Sequence, residues 1–268
     1  MRCLCFTVDL DRDVNFNIPG SVPAGSLDRG SGTGPRFTST QEGLNILSDL
    51  LDDVGMKATF FAEGRTLGSI DSSGLAGHEV GIHGYDHEDL VAGNAEYGND
   101  WVKAVLQKAS DVVADATGKK PGCFRAPYMK INEHILKVLP EIGIKYDSSF
   151  YSPIGRSMPP IRFDNGLYEV PVPEGTDAGG RKISAYTWPM HEGKRIPEDY
   201  IRMASEIDDG IFNISTHTWH MSESRSDGIM GPERLANNIE NIRKVLEGIE
   251  DMGFKAMTIP EAARAFHA

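Results

Sequence analysis

A chain of 268 residues with a formal net charge of −12 is poorly suited to a nucleic-acid partner, which wants clustered Lys and Arg. Its 40% hydrophobic and 25% charged residues are ordinary for a globular protein, and the length allows a substantial core without staples. Three cysteines, Cys3, Cys5 and Cys123, give no disulfide framework and fit a reducing compartment.

Short strands and amphipathic helices alternate along the chain. Cys3–Val8 reads as a strand, with Cys3 and Cys5 as small core residues on one face. A Gly- and Pro-rich stretch from Arg12 to Arg36 follows. It is too long for an ordinary βα connection, so it either shapes the site beside it or is a surface insertion. Its Gly30-Ser-Gly32-Thr-Gly34 segment lacks the lysine of a phosphate loop. Ser39-Thr-Gln-Glu42 has the pattern of a capping box. Leu44, Leu47, Leu51 and Val54 continue at helical spacing until Gly55. Lys57–Ala62 and Glu79–Ile82 read as strands. Trp101–Ala116 reads as a helix with Val102, Val105, Ala109 and Val112 on one face, ended by Gly118. Cys123–Phe124 is a short strand. A helix through Ile135, Leu139 and Ile142 stops at Gly143, and Ile144–Tyr146 is a strand. Tyr168–Val172 and Lys182–Thr187 look extended, Pro197–Ile207 is helical, and Ile211–Thr216 is a strand. Glu233–Met252 is the last long helix, before strand Phe254–Thr258. The alternation predicts an α/β fold with a mainly parallel sheet, most simply a (β/α) barrel in a single domain over 1–268.

The chemistry lies at strand ends. Asp9 and Asp11 stand two residues apart after the first strand, and His83 and His87 four apart after the third. Together they offer a divalent ion two nitrogens and an oxygen, with one carboxylate to spare. Three protein ligands leave a position open, as in a catalytic rather than a structural zinc site. Singly, each signal is modest: Asp-x-Asp after a strand is usually loop polarity, and Arg125 suits a structural ion pair as well as a role in holding and orienting a carboxylate. Yet Asp9, His83, Arg125 and His217 each follow a predicted strand, and strand C-termini of a parallel barrel share one rim. His217 could carry a proton to a leaving group. His220 reads as a supporting residue. His78, His134, His191 and His267 read as surface or packing residues.

These motifs resemble the polysaccharide deacetylases of carbohydrate esterase family 4, the NodB homology domain. Thr7-Val-Asp9-Leu-Asp11 resembles its first motif, His83-Gly-Tyr-Asp-His87 its second and Arg125-Ala-Pro-Tyr128 its third. His217 fits the final histidine, and Ala58-Thr-Phe-Phe-Ala62 matches a strand between the first two motifs. The resemblance implies a distorted (β/α) barrel of the NodB type. It implies Asp9 as base, Asp11, His83 and His87 as metal ligands, Arg125 as the group that orients Asp9, the Tyr128 backbone N–H as oxyanion donor and His217 as general acid. The Asp-x-Asp spacing and Tyr146-Asp-Ser-Ser149 resemble the intracellular branch, which includes peptidoglycan deacetylase-like, allantoinase-like and cyclic imide hydrolase proteins. The family's Asp-x-x-x-Trp motif is absent, since Tyr97, Ser184 and Ser215 stand four residues before the three tryptophans. Glu169 is a candidate substitute for the carboxylate that tunes His217.

The expectation is therefore a metal-dependent hydrolase that deacetylates an N-acetylated sugar. One divalent ion is expected, Zn²⁺ first, with Co²⁺, Ni²⁺ or Mn²⁺ as substitutes. A cyclic imide or ureide amidohydrolase would use the same residues, and a sugar-binding protein with a dead site is the non-catalytic rival. The partner is a small molecule or an oligosaccharide, and a homo-oligomer is compatible with the sequence. No signal-peptide pattern and no run of about 18 apolar residues is visible, so a cytoplasmic protein without a membrane partner is expected.

Overall fold

The computed structural model describes residues 1–13 and 35–266. The Gly30–Gly34 segment, most of the Arg12–Arg36 stretch and His267 lie outside the described residues. Fifteen strands are described: β1 Arg2–Leu10, β2 Thr59–Ala62, β3 Glu79–Ile82, β4 Cys123–Phe124, β5 Tyr146–Asp147, β6 Tyr151–Pro153, β7 Ser157–Met158, β8 Ile161–Arg162, β9 Tyr168–Glu169, β10 Val172–Thr176, β11 Lys182–Ser184, β12 Asp209–His217, β13 Glu223–Ser224, β14 Gly228–Ile229 and β15 Lys255–Ala256. The main sheet runs β7-β12-β1-β2-β3-β4-β5-β9-β8, with β15 also on β1. Its neighbours are parallel except at the β8/β9 edge. The two end strands do not pair with each other. The sheet is a curled, open form of the predicted (β/α) barrel.

β1 is the spine. It is buried from Cys3 onward, as a strand covered on both faces must be, and its near-continuous apolar run reflects that. One edge pairs with β12 from Arg2 to Asp9. The other is shared between β15 at Cys3–Leu4 and β2 at Thr7–Leu10. This register sets Asp9 directly beside His217. Parallel pairing then brings the C-terminal ends of β1, β3, β4 and β12 to one rim.

Two helices show why the rim is rigid. The helix Thr38–Asp53 buries Leu44, Leu47, Leu50 and Leu51. The predicted capping box does not form: the cap position is Phe37, with no side-chain cap bond. The first-turn N–H groups of Ser39 and Thr40 instead donate to the Asp13 carboxylate, at 3.1 and 2.7 Å. The Ser39 hydroxyl donates to Glu223, at 2.8 Å. A carboxylate from the chain leaving β1 therefore takes over the capping role. Gly43 lets this helix approach the segment after His217, since a Cβ there would lie 1.8 Å from the Thr218 carbonyl oxygen. The helix Asn99–Thr117 buries Val102, Leu106, Ala109 and Val113 and ends at left-handed Gly118. Val105 and Val112 of the predicted face are only half-buried, so the true stripe is rotated by about one residue.

The sequence reading missed the helices Leu90–Tyr97 and Ile259–Ala265. It also missed the splitting of residues 151–176 into the short strands β6 to β10. Two- and three-residue strands are too short to show a period. Among the described residues, no helix is long and apolar enough to cross a membrane.

Candidate active site

The structure brings Asp11, His83 and His87 together. One donor atom from each lies within 4.8 Å of the others, and all three side chains are buried. His83 Nδ1 bonds to the Arg125 backbone carbonyl at 2.8 Å. That bond fixes the proton on Nδ1 and leaves Nε2 as a lone pair. Nε2 of His83 and Nδ1 of His87 are buried without a hydrogen-bond partner. Such orphaned nitrogens are rare unless something else satisfies them. Burial, with the nearby His83 and Arg12 charges, pushes His87 well below its usual range, so its ring is neutral and fit to ligate. Two imidazole nitrogens and one carboxylate suit a divalent ion of the zinc type.

The turn that carries His87 is held from behind. Glu63, fully buried after β2, accepts the Arg12 backbone N–H and its Nε–H, both at 2.9 Å. Arg12 also pairs with Asp86, which Arg65 holds at 3.0 Å. Gly84 sits at φ 72°, where a Cβ would lie 2.8 Å from Glu88. The non-glycine residues with positive φ among those described are His87, Tyr128 and Met129, all lining one cleft. Left-handed backbone at such residues costs about 1–3 kcal/mol each and clusters at functional sites.

Asp9 is the most tightly held carboxylate of the site. Arg125 Nη1 donates to its Oδ1 at 3.0 Å, and the Tyr186 hydroxyl donates to its Oδ2. Arg125 is completely buried. Its remaining donors reach Thr7 Oγ1 at 3.0 Å and Ser148 O and Oγ at 2.9 and 2.8 Å. Burial alone would raise the Asp9 pKa. The charges of Arg125, His83 and His217 and the Tyr186 bond overcome that and bring it down to about 2. Asp9 is therefore an anion at neutral pH, and its Oδ2 stands 4.0 Å from His83 Nε2.

His217 presents Nδ1 to both oxygens of Asp11, at 3.1 and 3.0 Å. Burial pulls its pKa down, but the Asp11 carboxylate and then Asp9 outweigh it, and the net shift is upward. The carboxylate against His217 is thus Asp11. Glu169, the candidate from sequence, is placed elsewhere: it accepts the backbone N–H groups of Ser149 and Phe150 at 3.4 and 3.1 Å. A β-strand position says which face a carboxylate occupies, not how far along the sheet it sits, and β9 lies six strands from β12.

The Tyr128 ring packs edge-on to His87, with centroids 4.6 Å apart. His220 is buried and paired with Glu192 at 2.9 Å, a supporting place as expected. His191 is buried among Thr187, Thr216 and Asn238. His78 is half-buried against the Ala58 backbone, and His134 is exposed. Tyr186 is the residue that sequence reasoning missed. Its backbone bridges Ser215 of β12, and an isolated tyrosine carries no motif.

Asp9, Asp11, His83, His87, Tyr128 and His217 line one cleft of about 400 Å³, which Tyr186, Trp188, Trp219 and Arg225 also line. The family model for polysaccharide deacetylase matches residues 32–146. A peptidoglycan deacetylase from Helicobacter pylori is 33% identical over 111 residues, which are 40% of this chain and 36% of that protein. A crystal structure assigned as a polysaccharide deacetylase from Mycobacterium smegmatis superposes with a TM-score of 0.67 at 21% identity, covering 99% of this chain and 90% of that one. The similarity to polysaccharide deacetylases thus covers residues 32–146 in sequence and nearly the whole chain in fold. The chain spans little more than a third of the length of the Helicobacter relative. The same fold also occurs in a carbohydrate esterase family 4 pseudoenzyme from Bacillus anthracis, with a TM-score of 0.56 at 15% identity over 98% of this chain and 65% of that one. At these identities the structural likeness is one of fold.

Proposed function

We propose that this chain is a metal-dependent deacetylase of an N-acetylated sugar within a polysaccharide. The observation that carries the reading is the placement of Asp9. It is an oriented carboxylate, kept off the metal triad by Arg125 and Tyr186, yet facing the same cleft.

A divalent ion held by Asp11, His83 and His87 supplies Lewis-acid polarisation of the amide carbonyl and acidifies a water molecule. Asp9 takes the proton from the attacking water, with Arg125 and Tyr186 fixing which lone pair faces it. A carboxylate held near 2 is a weak base by itself, and the ion would supply the acidity that the attacking water lacks. The Tyr128 backbone N–H is the oxyanion donor by resemblance. His217 delivers a proton to the departing amine, and because Asp11 engages Nδ1, the atom that delivers it is Nε2. The aromatic wall of Trp188 and Trp219 suits the apolar face of a sugar ring.

The test is acetate release from N-acetylated oligosaccharides by the zinc-loaded protein, run beside cyclic imides. Acetate release that disappears in Asp9→Asn supports the reading. Turnover of cyclic imides alone would replace it with the amidohydrolase reading.

A further inference from the structure

Two fully buried carboxylates take no part in the chemistry above. Asp147 on β5 and Glu169 on β9 are cross-strand partners in parallel register, and neither is exposed to solvent. Glu169 uses one oxygen for the Phe150 N–H and the other for the Ser149 N–H. Asp147 Oδ1 accepts the Ser149 hydroxyl. Asp147 Oδ2 is buried and has no donor, and the group beside it is Glu169. A carboxylate cannot donate, so Oδ2 is satisfied only if one of the two groups carries a proton that bridges them.

The charged and titratable groups on the elements around the pair do not neutralise it by contact. Arg125, at the end of β4, spends its donors on Asp9, Thr7 and Ser148. Tyr151 lies beyond Arg125. On β8, Arg162 is exposed and lies over the Tyr168 ring. The Cys123 thiol on β4 faces Glu79. On the helix Ile259–Ala265, which packs on β5, Glu261 caps its own helix and Arg264 is exposed. Two adjacent anions without a cation would repel strongly in this buried setting. Burial pushes both groups up, Asp147 to about 6 and Glu169, with the Asp147 charge added, well above its usual range.

The pair touches the loop that seats Arg125. Glu169 fixes the N–H groups of residues 149 and 150. Ser149 Oγ donates to Asp147 and accepts the Ala126 N–H at 2.9 Å. Ser148 supplies two of the acceptors that hold the Arg125 guanidinium. We propose that Asp147 and Glu169 share one proton as a buried acid–carboxylate unit, and that this unit positions Arg125 against Asp9. They are positioning residues, and their effect on rate rests on the function proposed above.

The shared proton is tested without substrate. Asp147→Asn replaces it with an amide N–H that donates to Glu169, while the amide oxygen still accepts from Ser149. The infrared carbonyl stretch of a protonated carboxylic acid is expected in the wild type at neutral pH and absent from Asp147→Asn. The folded pair binds a proton that the unfolded carboxyls, with pKa values of about 4, release. Wild-type stability should therefore fall as pH rises from about 4 to the folded pKa, by up to about tenfold in the folding constant per pH unit, and the variant should be flatter. An unchanged infrared band, or parallel stability–pH curves, overturns the shared proton. The positioning is tested on rate. Asp147→Ala should lose about tenfold or more in kcat with KM little changed, and Asp147→Asn should recover most of it. If Asp147→Ala keeps the wild-type kcat, the positioning role is refuted. Loss of activity in every protein, wild type included, refutes the deacetylase reading and leaves the infrared and melting results standing.

Discussion

The Arg125–Asp9 pair allows a prediction whose size can be worked out. Both side chains are buried, at 0 and 2% exposure, and their bond is 3.0 Å. Arg125→Met keeps much of the volume but leaves Asp9 a buried anion with only the Tyr186 hydroxyl as donor. Breaking one side of a buried pair costs about 3–5 kcal/mol. Unfolding entropy of about 2.1 cal/mol/K per residue over 268 residues is roughly 0.56 kcal/mol/K, so the melting temperature should drop by about 5–9 °C. The lost bonds to Thr7 and Ser148 are common to Arg125→Met and to Arg125→Met/Asp9→Asn, so they cancel in a double-mutant cycle. What remains is the unpaired charge, and Asp9→Asn should therefore rescue Arg125→Met by about 2–3 kcal/mol. The assay is thermal and urea unfolding of the four metal-free proteins. If the two single losses simply add, to within about 0.5 kcal/mol, Arg125 does not stabilise the Asp9 anion and its place in the mechanism fails.

Elemental analysis should find near one equivalent of divalent metal in the wild type and in Asp9→Asn, and almost none in His87→Ala. Asp9→Asn should nonetheless lose about 10²-fold or more in turnover, and equal metal in all three proteins would contradict the ligand set. His217→Ala should lose about 10²–10⁴-fold on an amide and far less on an ester, because an alkoxide leaves with less need of a proton; equal losses would reduce His217 to a structural part. Burial lowers the His191 pKa from 6.5 to about 4, so the unfolded chain binds the extra proton and stability should fall as pH drops through that interval, by about 3 kcal/mol in all. His191→Asn should flatten this part of the stability curve, and an unchanged acid limb would show that His191 is not buried neutral. Gly43→Ala gains about 0.5–1 kcal/mol of helix propensity but must displace the Thr218 carbonyl, which typically costs about 1–3 kcal/mol; melting should show a net loss, and a stabilised variant would refute the close approach.

What could be read locally came from short-range patterns. Strands β1, β3, β4 and β12 were legible because each is a short apolar run, and Asp9, His83, Arg125 and His217 were legible because each follows one. Parallel pairing does the rest, since it puts the C-terminal ends of these four strands on the same rim. The capping box at Ser39 failed because Asp13, 26 residues away, satisfies the first turn better than the local Glu42. Tyr186 reaches Asp9 across 177 residues and His217 reaches Asp11 across 206, separations at which sequence spacing carries no distance. Glu169 was legible in the sequence only as a candidate to tune His217, a role the structure gives to Asp11. The partner of Glu169 was decided by the register of β5 on β9, because strand pairing sets which side chains share a buried neighbourhood, and that neighbourhood determines whether a carboxyl holds its proton.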